Sequence, residues 1–360
     1  IHLNTNAPFC LVAVGVQGAG KSHTVATVIE NCTLNSPPVS VAAIPCSTLV
    51  FHFDTDEANC SQAAMLTSPN AARARNPDRP NCEVLPLLFS WREMTAGGIK
   101  TLMGATSAKT TPLYMGAMLS LLRKLQKEDN FPTFAEFKDQ IEELNLSSGQ
   151  KAPLRQRLAL IESFLNDSAE NAGLPTRTDL ADVCKSGTVV VCDLTDPMLS
   201  AAEARGVFEI VLQRFKALQL GCGKLLVLDE AHKFLTHSTA SDELGATIVE
   251  LVRQMRHHGM RVVVSSQSPL TIPDELLELA SICVMHSFYS KDWFKRLKRK
   301  MPLEDAAFER IMKLPTGNAV VFATRWKDFG SGAMMLGRGV RELRIRERLT
   351  EDGGKSKIIR

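Results

Sequence analysis

Eight consecutive residues near the start of the chain, Gly15-Val16-Gln17-Gly18-Ala19-Gly20-Lys21-Ser22, constrain its fold more than any other feature. They match the spacing GxxxxGK[ST] at every fixed position. An apolar run, Phe9–Val14, precedes them, and a helical pattern from Lys21 to about Asn31 follows. Strand, glycine-rich loop and helix in that order suit a backbone that wraps around phosphate groups. Glycines let successive N–H groups point inward, and the helix adds its positive N-terminal end. Lys21 supplies a cation to the β- and γ-phosphates, and the Ser22 hydroxyl is a ligand for Mg²⁺. The nucleotide-contacting stretch is expected to run through His23 to Thr24, which is placed to touch the α-phosphate.

A second apolar run, Leu225–Leu228, ends in Asp229 and Glu230. In open α/β sheets, ligands bind beyond the carboxyl ends of the strands. Asp229 is therefore the expected Mg²⁺ carboxylate, and Glu230 the group that orients and deprotonates an attacking water. With the loop upstream, the pair implies ATP hydrolysis and not binding alone.

The rest of the chain reads as α/β. Ser47–Phe53, Gly187–Leu194, Arg261–Ser265, Ser281–Met285 and Ala319–Ala323 are strand patterns, and Ala201–Leu220 and Thr247–His258 are helical. Strands of continuous apolar residues imply a mostly parallel sheet with helices on both faces. Tyr114–Lys127, Phe134–Leu144 and Leu154–Leu165 show helical spacing, the second opening on a Thr133/Glu136 capping box. This divides the chain into a discontinuous core, residues 1–57 and 184–350, a mainly helical insertion, 58–183, and a tail, 351–360.

Charged residues make up 22% of the chain and the net charge is only +3, so any nucleic-acid surface must be a local patch. Nine cysteines without a CxxC pair fit a reducing, intracellular compartment, cytoplasmic or nuclear, and no zinc site is expected. The apolar runs are too short to span a bilayer.

Two short motifs are decoys. Asp229-Glu230-Ala231-His232 spells a helicase box, but that family's Ser/Thr-Ala-Thr and QxxGRxGR motifs are absent. Leu146-Ser147-Ser148-Gly149-Gln150 is close to the signature of ABC ATPases, yet it lies far too early in the chain and reads more simply as a helix breaker.

The block after the acidic strand carries a different likeness. Arg253-Gln254-Met255-Arg256 precedes a strand ending in Ser266-Gln267, followed by Ile272-Pro273-Asp274-Glu275-Leu276-Leu277. Upstream, Val191-Cys192-Asp193-Leu194-Thr195 ends a strand, and downstream lies Leu314-Pro315-Thr316-Gly317-Asn318-Ala319. In this order the motifs resemble the HerA–FtsK branch of RecA-like P-loop ATPases, over residues 9–55 and 185–325. The resemblance implies a RecA-like core, a ring that is usually hexameric, and ATP-driven movement of DNA through its pore. It also implies that Gln267 senses the γ-phosphate and that Arg253 or Arg256 serves a neighbouring subunit's ATP. The alternatives are an ATP-regulated switch or scaffold that does not act on nucleic acid, and an ABC-like dimerising ATPase.

Lys295-Arg296-Leu297-Lys298-Arg299-Lys300 is the densest basic cluster, and Trp293 and Phe294 lie beside it. It is either a contact to a DNA backbone or a solvated helix face. Gly339–Ile345 alternates and reads as a closing strand, and the run Arg338, Arg341, Arg344, Arg346 and Arg348, interleaved with apolar residues, reads as an exposed strand or as one packed on a neighbouring subunit. Asp54 ends a strand and faces either the nucleotide or its own turn.

Overall fold

The computed structural model describes residues 3–37, 40–56, 61, 63, 83–94, 99, 102–103, 113–125, 132–165, 179–237, 243–325 and 339–350. The 351–360 tail, Arg338 and nearly all of 57–82 lie outside the described residues.

Three strands carry the centre of the molecule: β1 (Cys10–Val14), β6 (Lys224–Leu228) and β7 (Met260–Ser266), every residue of which is buried. Strands buried along their whole length and apolar at their centres cannot present a face to water, so helices must cover both sides. Five further strands join them: β4 (Ser47–Asp54), β5 (Val189–Thr195), β8 (Ile282–Met285), β9 (Asn318–Ala323) and β10 (Val340–Arg344). The order across the sheet is β10-β9-β8-β1-β7-β6-β4-β5. Pairing is parallel from β8 to β5, and antiparallel only where β9 meets β8 and β10. A two-stranded ribbon, β2 (Asn35–Ser36) and β3 (Ser40–Val41), stands apart.

Alternation along each strand sorts the side chains into two apolar layers. Leu11, Ala13, Leu225, Val227 and Val263 pack with Val25, Val28 and Ile29 of α1 (Lys21–Thr33). Val12, Val14, Leu226, Leu228 and Val264 face the other way, onto α6 (Ala201–Ala217) and α7 (Glu243–Arg253). Phe51 of β4 stacks on Phe208 of α6 with centroids 4.3 Å apart.

The helices between β4 and β5 join this second layer. α2 (Leu113–Leu125), α3 (Phe134–Glu142) and α4 (Ser148–Ser163) contribute Met115, Met118, Phe137, Ile141, Leu158 and Ile161 to one contiguous cluster with the sheet. Trp91 bridges to Phe134 and Phe137 at 5.0 and 4.9 Å. Gly206 of α6 must be glycine, because a Cβ there would meet the Leu102 backbone nitrogen at 2.8 Å.

Several local expectations are revised. The segment read as a helix breaker instead starts a helix: Ser147 and Gln150 form the capping box of α4, after α3 has ended. α7 begins earlier than expected, at Glu243, and Gln254 separates it from a one-turn α8 (Met255–His258) closed by Gly259 at φ 59°. β10 is not an exposed strand. Val340 and Arg341 are buried, and Leu343 and Ile345 pack against the α1 layer, because β10 pairs beside β9 and extends the sheet over that layer. Three short helices complete the chain after β7: α9 (Asp274–Leu279), α10 (Lys291–Lys300) and α11 (Ala306–Met312), while α5 (Leu180–Val183) precedes β5.

Candidate nucleotide site

The phosphate loop leaves β1 at Gly15 and enters α1 at Lys21. Gly18 and Gly20 take φ values of 75° and 106°, in a region that a Cβ penalises. Gly15 is glycine for a different reason: a Cβ there would lie 2.7 Å from the Cβ of His286. Gln17 and Gly18 are exposed at the tip, whereas Ala19 and Lys21 are buried. The Lys21 ammonium donates to the Val16 carbonyl at 2.9 Å, and Val16 N–H donates to Ser287 O at 3.0 Å. Lys21 is thus tucked under the loop. Burial lowers its pKa, and the charges of Glu230 and Asp229 partly offset that.

β6 delivers Asp229 and Glu230 to the same edge. Asp229 is buried, with His52 Nδ1 3.7 Å from its Oδ2, and its Oδ1 has no hydrogen-bond partner among the described residues. Ser22 and Asp229 line one small cavity with Val25, Ala26, Ile29, Val50 and Ala63. A hydroxyl and an unpartnered carboxylate oxygen at one cavity are oxygen donors of the kind Mg²⁺ takes. The residues present therefore fit the cation.

Glu230 has φ 48°, and among the described residues no other non-glycine has a positive φ. Strain of this kind survives only where the surroundings impose it, and it gathers at functional sites. Glu230 Oε2 accepts from Gln267 Nε2 at 2.7 Å. Gln267 N–H also points at His232 Nδ1, 3.4 Å away, and the same nitrogen lies 3.4 Å from Glu230 Oε2. Burial, first among several influences, lowers the His232 pKa. Glu230, His232 and Gln267 form one polar cluster at the ends of β6 and β7.

The remaining expected residues fall elsewhere. Arg253 is exposed and ion-paired with Glu250 at 3.1 Å and with Glu275. Arg256 is exposed on α8, which feeds β7 at the sheet edge opposite the phosphate loop. Neither belongs to its own chain's nucleotide site. His23 Nε2 lies 2.8 Å from Arg346 O, and Thr24 is buried against His286. Asp54 is held by Lys233.

The basic cluster on α10 is less free than its composition suggests. Arg296 is buried, donating to Ile272 O and paired with Asp274 at 3.0 Å. Lys298 pairs with Asp305 and Lys300 with Glu278. Lys295 and Arg299 remain exposed, Lys295 3.9 Å from Asp292.

His52, His232 and His286 were missed as site residues. For His286 a signal existed: like Asp229 and Gln267, it is a polar residue just beyond an apolar strand.

Comparison with solved structures places this arrangement. VirB4 of Thermoanaerobacter pseudethanolicus superposes with a TM-score of 0.56 at 14% identity, over 96% of this chain and 91% of that one. The fold is a P-loop NTPase fold, as in VirB4. At this identity the VirB4 likeness is one of fold. Two weaker matches are the genome packaging NTPase B204 of Sulfolobus turreted icosahedral virus 2 in complex with AMPPCP and the cytoplasmic domain of the Thermomonospora curvata Type VII secretion ATPase EccC. B204 aligns with a TM-score of 0.39 and 10% identity, over 88% of this chain and 92% of its own. EccC aligns with a TM-score of 0.38 and 13% identity, over 97% of this chain but 25% of its own. No family model and no curated protein matches the sequence. Among the described residues, no helix is long and apolar enough to cross a membrane.

Proposed function

We propose that this chain is a Mg²⁺-dependent ATP hydrolase. The observation that carries the proposal is the Glu230–Gln267 contact of 2.7 Å, with the Lys21 ammonium near enough for Glu230 and Asp229 to act on its pKa. The loop N–H groups cradle the phosphates, and Lys21 exchanges its bond to the Val16 carbonyl for the β- and γ-phosphates. Ser22 and Asp229 hold Mg²⁺, which when bound neutralises charge on the phosphate oxygens. Glu230 takes the proton from the attacking water as the γ-phosphoryl group leaves ADP and becomes inorganic phosphate. Gln267, able to donate and accept, orients that water and reports on the γ-phosphate. Phosphate release assayed with and without EDTA, in wild type and Glu230→Gln, tests the reading. Equal rates in the two proteins would overturn it.

Motif order supports a further step in the same proposal: assembly into a ring, usually hexameric, that moves or remodels DNA. Arg253 or Arg256, remote from its own site, would then serve the ATP of a neighbouring subunit. The core of 1–57 and 184–350 would be the motor and 58–183 its insertion. DNA contact at Lys295–Lys300 would fall mainly on Lys295 and Arg299. ATPase rates with and without duplex DNA at several salt concentrations test this step, since a switch or scaffold has no reason to respond. Seven described cysteines are free, in keeping with an intracellular setting.

A further inference from the structure

His286 stands at the carboxyl end of β8, fully buried, and its backbone N–H donates to Val14 O, the last residue of β1, at 2.9 Å. Its side chain touches the phosphate loop at both ends. A Cβ on Gly15 would meet the His286 Cβ at 2.7 Å, and one on Gly20 would lie 3.5 Å from Cε1. Both ring nitrogens are engaged: Nδ1 lies 3.1 Å from the Asn318 carbonyl at the start of β9, and Nε2 lies 2.8 Å from Thr24 Oγ1 on α1.

Proton accounting settles the directions. A carbonyl oxygen can only accept, so Nδ1 must carry the hydrogen that bonds Asn318. Burial, aided by the nearby Lys21 and His23, pushes the His286 pKa down to about 4 against the opposing bond to Asn318, so the ring is neutral at neutral pH. A neutral ring with its hydrogen on Nδ1 has a bare Nε2, which accepts from the Thr24 hydroxyl. The Thr24 backbone N–H is also committed, to Gly20 O at 3.0 Å.

We propose that His286 is a positioning residue for the phosphate loop, and that Thr24 donates its hydroxyl proton to His286 and not to a nucleotide phosphate. Thr24 then serves as the anchor through which β8 and β9 hold the loop in register, replacing the α-phosphate contact expected from sequence. The advantage is geometric: loop N–H groups bind phosphate well only when fixed in direction, and small misplacements are costly. The inference rests on the ATP reading for its functional half, while the tautomer of His286 stands independently of any nucleotide.

Two measurements on the full chain test it. The first is ¹⁵N NMR of histidine-labelled protein without nucleotide, with His286 assigned from the signal lost in His286→Gln. A protonated Nδ1 and a bare Nε2 are expected, and the opposite tautomer would overturn the proposal. The second is a double-mutant cycle on Mg-ATP binding and turnover with Thr24→Val and His286→Leu. Each should weaken affinity roughly tenfold, a typical coupling for groups in contact. The double variant should be no weaker than the worse single one. KM should rise with kcat within about twofold, since neither group touches the reacting atoms. Thr24→Ser and His286→Gln, which keep the donor and acceptor pattern, should return to within about threefold of wild type. Effects that multiply in the double variant would make Thr24 an independent phosphate ligand and overturn the proposal. Unchanged affinity with only a lowered Tm would reduce the pair to a packing role and do the same. If His286→Leu fails to fold, the near-isosteric Thr24→Val and the tautomer still decide. A wild-type chain that binds no Mg-ATP would sink the ATP reading and leave the tautomer as a separate result.

Discussion

Glu230 Oε2 and Gln267 Nε2 meet at 2.7 Å, joining the ends of two strands that lie side by side with Leu228 opposite Val264. The contact depends on Glu230 turning into the left-handed region at φ 48° as it leaves β6. Under the proposed function, a carboxylate and an amide held together in this way would be moved together by one event, the arrival of a γ-phosphate.

Glu230→Gln should retain ATP affinity and lose hydrolysis by at least about a hundredfold, the scale of a lost general base. Equilibrium binding and single-turnover rates separate the two effects. A matching loss of affinity would instead assign Glu230 to the metal.

Gln267→Ala should reduce turnover by roughly ten- to a hundredfold, and combining it with Glu230→Gln should cost little more than Glu230→Gln alone, because residues acting as a unit are not additive. Initial rates of the three variants check this. Multiplied losses would separate Gln267 from the base.

Lys21→Ala should abolish tight Mg-ATP binding while the fold persists. The ammonium is buried, but its hydrogen bond is to the Val16 carbonyl of the same loop. Calorimetric titration and a thermal melt measure both halves, and a wild-type hydrolysis rate would refute the loop assignment.

On α10, replacing Lys295 and Arg299 with alanine should weaken DNA binding about equally for unrelated sequences. It should also reduce the log–log salt slope by roughly 0.9 for each lost contact. Arg296→Ala should instead lower stability, since Arg296 is buried against Ile272 and Asp274. Fluorescence anisotropy over a salt series reads the first and a melt the second. An unchanged slope makes α10 a solvated face.

Glu30 of α1 is buried and accepts from Leu349 N and Thr350 N, each at 3.0 Å, with Arg346 2.7 Å from its other oxygen. Burial pushes its pKa up, but the bonds from Thr350, Leu349 and Arg346 prevail and leave it below the ordinary carboxylate value. A pKa lowered in the folded state means stability that is full above the ordinary carboxylate range and lost as pH falls through the lowered value. Glu30→Gln should therefore destabilise by about 1–3 kcal/mol at neutral pH, with the gap to wild type closing in acid. Hydrogen exchange at residues 345–350 should rise in the variant. An equal loss at every pH would refute the ionic account.

What was legible in the sequence lies within short stretches of chain. Gly15–Ser22 and Asp229–Glu230 announce phosphate and metal chemistry because covalent spacing sets the loop geometry and each strand delivers its own last residues. Continuous apolar strands such as Leu225–Leu228 demand cover on both faces for the same local reason. Where the pattern misled, the cause differed. Ser147 reads as a breaker although Gln150, three residues on, closes a capping box with it, whereas Arg341 is buried because β10 pairs beside β9, a relation no local spacing records.

The sequence by itself determined that this chain has a phosphate loop, an acidic strand end and a mostly parallel sheet, because each of these is written in residues that are neighbours along the backbone. Only the tertiary structure decided which polar groups meet. Gln267 reaches Glu230 because β7 lies beside β6, and His286 reaches Thr24, 262 residues earlier in the chain, because β8 lies beside β1. Strand order comes from burying two apolar layers at once, a property of the whole chain that no local spacing records.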